Sequence, residues 1–424
     1  METLCAFNIL NMRYFFILLL PFLSCNAQTV STQNGLIAAI QSAKLNGGAV
    51  NISGEILITQ EIEIDFDCVI NGGVLKTKDS TTAALNLFEI KKGGRLTCNN
   101  LKVSGPKYAG GTSENVPFTT AFFMDGGAQL ILNDCSIKGE FHNTISKTST
   151  GDSVGLVTKL RLINCELSSY AQCISFFTVN GNTTSFIDLH GVRFLKSGIQ
   201  AANNGGAAYG HALYIHPSVV TNIDNCEFAH SERNCVAYYS GGAINTPGKL
   251  NIINCRFLEG CKGAIVADTY GSATIENCTF YGFEGVRMAK GDFIVSNNFF
   301  YGNASNVLIA TIGDINSANI KGNVFKPSFI PNYFGYAMLS GLHKGKYNYS
   351  NNTFLGVFSS GSNILNLSNT DAVFRVIENS FFCNPTYAVR ADRGLFLVTD
   401  NLYIGPTVKV QYNPTATKYV KDGN

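Results

Sequence analysis

The chain has 424 residues, with 31 Lys plus Arg against 29 Asp plus Glu and only 14% charged residues, which excludes a polybasic nucleic-acid binder and an acidic disordered tail. Its 42 glycines show no three-residue period, which excludes collagen. With 30 Phe, 18 Tyr and no Trp, it is a glycine-punctuated, β-rich chain with ample core material.

Residues 1–27 read as an export signal. Met12-Arg13 gives a positive start, and Tyr14 to Leu23 is an apolar run broken only by Pro21, too short to span a bilayer. Cys25-Asn26-Ala27 fits a small-residue cleavage site ahead of Gln28. Cys25 as an acylated anchor fits less well, because Phe22 and Leu23 precede it. The mature chain is therefore expected outside the cytoplasm, secreted or periplasmic, with no stable membrane insertion. It keeps eleven cysteines, an odd number with no C-x-x-C pair and no zinc spacing, so at least one thiol is free and no metal site is assigned to them.

The segment 28–48 is expected to hold an amphipathic capping helix. Gly35 to Leu45 carries apolar residues at 36, 37, 39, 40, 43 and 45, with Thr32 or Asn34 as N-cap and Gly47-Gly48 as stop. Such a helix would plug the end of a strand stack whose edge otherwise invites aggregation. Residues 49–75 then supply the first strands.

From residue 103 onward one phrase recurs. Asn-Cys-x-Phe occurs at 225–228, 254–257 and 277–280, with looser copies at 134–137, 164–167, 191–194, 297–300, 322–325 and 351–354. Fainter copies end at Val103, Phe381 and Tyr403, giving a mean interval near 27 residues. Upstream, apolar residues alternate, as in Leu130 and Leu132 or Leu250 and Ile252, which marks a strand with one buried face. At the Asn the phase breaks, as a one-residue corner in left-handed backbone requires. Stacked corner Asn side chains can hydrogen-bond along the stack. Because Val192 shares the Cys position, that slot reads as a buried small-hydrophobe slot, in which Asn298 also falls.

A third strand lies between each Phe and the next phrase, seen in Cys173–Phe176, Ala212–Ile215 and Gly263–Ala267. Three strands per turn describe an all-β, single-stranded parallel β-helix over residues 49–404, of about 11–12 coils, with right-handed crossovers. A leucine-rich repeat would need connections of regular length, and a propeller a longer period. Residues 405–424 are left as a C-terminal cap or tail. A monomer is expected.

The helix, the Gly-Gly-Ala-Val strand at 47–50 and the Asn-Cys-x-Phe ladder together resemble the pectin-lyase-like superfamily of exported right-handed β-helix proteins. The resemblance implies a polysaccharide ligand, cleaved by elimination or hydrolysis on the outer face of the strand that follows the Phe corner. The chain lacks adjacent Asp-Asp, Asn-Thr-Asp, Arg-Ile-Lys and Gly-His-Gly patterns, which weakens a polygalacturonase or pectate-lyase assignment.

Within the third strands, inward Leu213 and Ile215 leave Tyr214 and His216 outward. Aligning the next coils adds Val236, Tyr238 and Ser240, then Val266 and Asp268, with a possible one-residue slip that exchanges Tyr238 for Tyr239. Catalytic candidates are therefore His216, Tyr214, Tyr238 and Asp268, and substrate-binding candidates are Arg233, Lys262, Arg287 and His211. In a lyase, His216 or a Tyr exchanges the proton α to a uronate carboxylate, while an Arg holds that carboxylate. Hydrolysis needs two carboxyls, and only Asp268 is well placed. No cluster of three or more carboxylates stands out for calcium, and no cofactor is expected. The insertion Leu195–Gly210 is a candidate groove wall. Two functions stay open: a metal-independent lyase, or a non-catalytic carbohydrate-binding or adhesive rod with Tyr residues as the contact.

Overall fold

The fold is that of a computed structural model, which describes residues 27–77, 86–106, 120–149, 151–153, 155–178, 183–197, 210–238, 247–281, 284–303, 308–329, 337–356 and 363–413. The export signal, most of the 195–210 insertion, Tyr239, Ser240 and residues 414–424 lie outside them. Every strand pairing is parallel and joins one turn to the next, so the chain winds into a right-handed parallel β-helix. Each turn contributes a strand before the corner, one after it and a third strand, and these stack into three sheets around one apolar core. Two turns centred on Ile56 and Leu75 precede the first one that carries a recognisable phrase.

The helix Gln33–Asn46 packs Leu36, Ala39, Ile40 and Ala43 against the first turn, and Gly35 N donates to the Thr32 N-cap hydroxyl. A short strand Gln28–Val30 before it pairs with Ala49–Ile52, which periodicity alone did not reveal. At the far end, Val408–Tyr412 pairs with the preceding third strand.

The corner residues adopt left-handed backbone: Asn100, Asp134, Asn164, Asn225, Asn254, Asn277, Asn297 and Asn351 have φ between 52° and 57°. Gly191 shares that conformation at φ 65°, and a Cβ there would lie 2.6 Å from the Asn164 Oδ1 of the turn below. Three residues after the corner, the rings stack face to face from Phe194 through Phe228, Phe257, Phe280, Phe300, Phe325, Phe354 and Phe381 to Tyr403, with centroids 4.5–5.1 Å apart. That spacing is the strand separation of a sheet, ~4.7–4.9 Å, so the ring column and the hydrogen-bond ladder enforce the same register. On the opposite, solvent side of these strands, Lys138, Glu166, Arg193, Glu227 and Arg256 alternate in sign with contacts of 2.6–3.4 Å.

The slot between corner and ring is where the structure corrects the sequence reading. All eleven cysteines from Cys68 to Cys383 are buried free thiols, and Cys135, Cys165, Cys226, Cys255 and Cys278 do share one slot. From Asn298 onward the same slot holds buried asparagines, Asn298, Asn323, Asn352 and Asn379, followed by Asn401. It is a polar ladder there. Each amide oxygen accepts the backbone N–H of the slot residue one turn earlier: Cys278 N to Asn298 at 2.8 Å, Asn298 N to Asn323 at 3.0 Å, and Asn323 N to Asn352 at 3.1 Å. Each Nδ2 donates to a carbonyl of the turn below, Asn323 to Val295 O at 2.8 Å, and to the next amide oxygen. The thiols approximate this arrangement: Cys255 N donates to Cys278 Sγ at 3.4 Å, and Cys278 Sγ faces Glu276 O at 3.2 Å. From Asn298 onward the slot therefore holds side chains that complete inward-pointing backbone groups, whereas Val192 shows that earlier turns accept an apolar filler there. The corner Asn side chains form only scattered exposed bonds, such as Asn164 to Asp134 at 3.2 Å.

Asn323→Ala strands the Asn298 N–H and the Val295 carbonyl and is expected to cost roughly 2–5 kcal/mol. Cys226→Val, at a slot that Val192 fills one turn away, is expected to cost less than about 1.5 kcal/mol. Chemical denaturation of the two variants checks both, and equal losses would contradict the ladder.

Candidate functional site

Around Tyr214 the third sheet places Ser175, Tyr214, Ala237, Val266 and Arg287 in one outward row. Ser175 and Ala237 are buried although they face outward, so half-buried Tyr214 stands in a recess. The His211 ring stacks on Tyr214, centroids 5.6 Å apart and 14° from parallel, and Phe177 meets Tyr214 edge-on at 4.9 Å. His211 is itself buried, with Nδ1 3.3 Å from Asn234 O, and burial pulls it down to about 4, so the ring is neutral near pH 7. Arg233 adds to that depression by its charge. Its backbone N–H donates to Gly210 O at 3.1 Å, and its side chain meets no carboxylate among the described residues. His211, Tyr214 and Phe177 thus form one aromatic patch, on which the Arg233 charge acts. Phe177 was not foreseen, since it follows a strand instead of lying in one.

The other candidates are arranged differently from the sequence expectation. Tyr238 pairs with Ile215 and points inward; it is fully buried, with its hydroxyl 2.8 Å from Pro217 O and 2.6 Å from Val219 O. Val236, which pairs with Leu213, is inward too. His216 does not face an open groove: it is 3% exposed and turns back to Thr178 Oγ1 at 3.2 Å and Ser218 Oγ at 2.7 Å. Burial, then the Lys147 charge, holds it below the ordinary histidine range. Asp268 is half-buried and paired with Lys290 at 3.0 Å, and burial raises its carboxyl. Lys290 also meets the Tyr270 hydroxyl and lies over its ring. Lys262 is paired with Glu232, and Arg287 with Glu284 at 2.7 Å, so both cations are already neutralised. The structure brings His211 and Tyr214 into contact, with Arg233 acting on His211 by its charge, but does not unite the full predicted set.

Two further charged clusters escaped sequence reasoning. Lys147 occupies an inward position beside Phe176, entirely buried, with Nζ bonded to Asp152 at 2.6 Å, Phe177 O at 2.7 Å and Thr148 O at 2.8 Å. Burial lowers its pKa, but all three of its protons find acceptors. Contrary to the expectation of no carboxylate cluster, Glu61, Glu63 and Glu89 bring oxygens within 4.8 Å of one another. Lys91 supplies a cation there, 2.6 Å from Glu89 and 3.6 Å from Glu63. Burial and the neighbouring Glu89 raise Glu61. A cavity of about 440 Å³ lies elsewhere, between the helix and the first turn.

No family model matches the chain, and no curated protein matches it. Among solved structures it is similar to tailspike protein 3 of bacteriophage CBA120, with a TM-score of 0.51 and 11% identity over 91% of this chain. The match spans 58% of the tailspike chain. PfbA, a surface adhesin of Streptococcus pneumoniae, is matched over 91% of this chain and 90% of its own, with 8% identity and a TM-score of 0.40. The pectin-lyase-like resemblance holds as a likeness of fold. No helix among the described residues is long and apolar enough to cross a membrane.

Asp152→Ala leaves the Lys147 ammonium buried without its counter-ion and is expected to cost about 3–5 kcal/mol, whereas Lys147→Met with Asp152→Leu is expected to be neutral or stabilising. Thermal unfolding of the single and double variants checks this; a double variant as unstable as the single would contradict it.

Proposed function

We propose that this chain is an exported β-helix that binds an acidic polysaccharide on its third face, at the recess of Tyr214. The observation that carries the reading is the ring cluster of His211 and Phe177 around half-buried Tyr214, with Arg233, which has no carboxylate partner among the described residues, acting on His211 by its charge. A pyranose presents an apolar face to a Tyr ring, and a uronate carboxylate matches the planar guanidinium fork. Because His211 stacks on Tyr214 and Phe177 braces it from the side, the platform is held in place before a ligand arrives, which lowers the ordering cost of binding. The export signal read in residues 1–27 and the tailspike-like fold agree with a rod that meets glycans outside the cell.

Elimination chemistry finds less support at this patch. Tyr238 is sealed in the core, and burial raises its phenol. The cations that might neutralise a uronate are paired, apart from Arg233.

Calorimetry against polygalacturonate, with neutral dextran as control, tests the proposal. Tyr214→Ala and Arg233→Ala are each expected to weaken polygalacturonate binding about tenfold or more, near 1.4 kcal/mol, with the arginine effect fading as salt rises. Equal affinity of the wild type for both polymers would defeat the reading. An ultraviolet rise from unsaturated product would restore the lyase.

A further inference from the structure

The turn after the third strand, at residues 216–219, carries a hydroxyl–imidazole pair that glycan binding does not use. Ser218 Oγ lies 2.7 Å from His216 Nδ1, and the Ser218 backbone N–H donates to the same nitrogen across 3.3 Å. A backbone amide can only donate, so Nδ1 carries a lone pair and the ring proton resides on Nε2. The ring, held below the ordinary histidine range by burial and by Lys147, is thus an unprotonated base near neutral pH. Thr178 Oγ1 lies 2.6 Å from Ser218 Oγ and orients it. The Tyr238 hydroxyl, 2.8 Å from Pro217 O and 2.6 Å from Val219 O, clamps the backbone on both sides of the serine.

Access differs between the two groups. His216 is 3% exposed, whereas Ser218 is only half-buried, so the hydroxyl is more accessible than the base. Nε2 is buried with no hydrogen-bond partner among the described residues. The charge of Asp152 favours a protonated His216 ring, but the larger effect of its partner Lys147 opposes it.

We propose that Ser218 is a nucleophile activated by His216, and that this turn hydrolyses carboxylic O-acyl esters. Ser218 Oγ forms a bond to the ester carbonyl carbon as its proton passes to His216 Nδ1. Collapse of the tetrahedral adduct breaks the bond to the alkoxide, which leaves with that proton as the alcohol. Water then attacks the acyl-serine, giving its proton to Nδ1, and the acid departs as Ser218 recovers its hydrogen. No oxidant, reductant or co-substrate beyond water is needed. Acylated sugar hydroxyls held at Tyr214, four residues before Ser218, are the fitting substrate class, but the chemistry stands without the glycan reading and is tested without a glycan.

Full-length protein is treated with a fluorophosphonate probe and mapped by peptide mass spectrometry, with p-nitrophenyl acetate turnover measured in parallel. The expected result is one adduct, on Ser218, that is absent from Ser218→Ala. Labelling and turnover in His216→Gln are expected to fall on the order of 10²-fold or more while the circular-dichroism melt is retained. Wild-type protein without an adduct on Ser218 overturns the proposal and involves no variant that might misfold. An adduct whose rate ignores His216→Gln also overturns it. Labelling at Ser218 in a chain that binds no polygalacturonate still supports the nucleophile.

Discussion

The structure depends on how one turn completes the backbone of the turn before it. At every corner a single left-handed residue swings the chain, which points an N–H and a carbonyl into the core. Buried backbone groups without partners are costly. From Asn298 to Asn379 an amide in the slot after the corner answers both groups across the gap between turns, whereas the thiols from Cys135 to Cys278 mainly meet carbonyls and Val192 meets neither. An amide has a true donor and a true acceptor, whereas a thiol is weak in both roles. The thiols' long contacts, 3.2–3.7 Å, show the difference directly. The aromatic column next to the slot then has its spacing set by the same repeat.

That constraint decides which side chains reach solvent. Once the slot and ring of each turn are aligned, the third strands fall into a fixed register, and Tyr214 is outward because Leu213 and Ile215 stack on Val236 and Tyr238. The candidate patch is therefore built on a rigid sheet, while its basic residue arrives from the segment 229–234, where the ladder is irregular. The proposed patch sits where the repeat is interrupted. The same interruption lets His216 fold back beneath the strand end and meet Thr178 and Ser218, a contact that joins two turns. The buried Lys147–Asp152 pair lies in this region as well, and it accounts for part of the electrostatic environment of His216.

The repeat was legible because Asn-Cys-x-Phe combines a backbone requirement, a slot and a ring at fixed spacing. The first two turns were not counted, since Ile56 and Leu75 replace the Phe there and no corner phrase marks them. Asn298 was read with Cys and Val as filler of a small slot, because residue size is visible in a sequence and the partner of a backbone amide is not. The run Cys235 to Tyr238 is buried at every position, so alternation offers no phase, and Tyr238 was turned outward in error. Lys147 was invisible for the opposite reason: a lysine at an inward position breaks the pattern, and only Asp152 five residues later, across a turn, makes it tolerable. The cluster of Glu61, Glu63 and Glu89 arises from stacking of turns in the stretch where the phrase is faintest. Of the patch, His211, Tyr214 and Arg233 were named from composition and strand phase, but Phe177 belongs to a neighbouring turn.

Hydrogen exchange at the side-chain Nδ2 protons of Asn323, Asn352 and Asn379, followed by NMR in native conditions, addresses the ladder most directly. Each of these groups is bonded to a carbonyl of the turn below and to an amide oxygen of the turn above, at 2.8–3.0 Å for Asn323. The account predicts exchange as slow as that of the backbone amides in the central strands, because both open only when turns separate. Exchange at the rate of a solvated asparagine amide, in a chain whose strand amides stay protected, would contradict it.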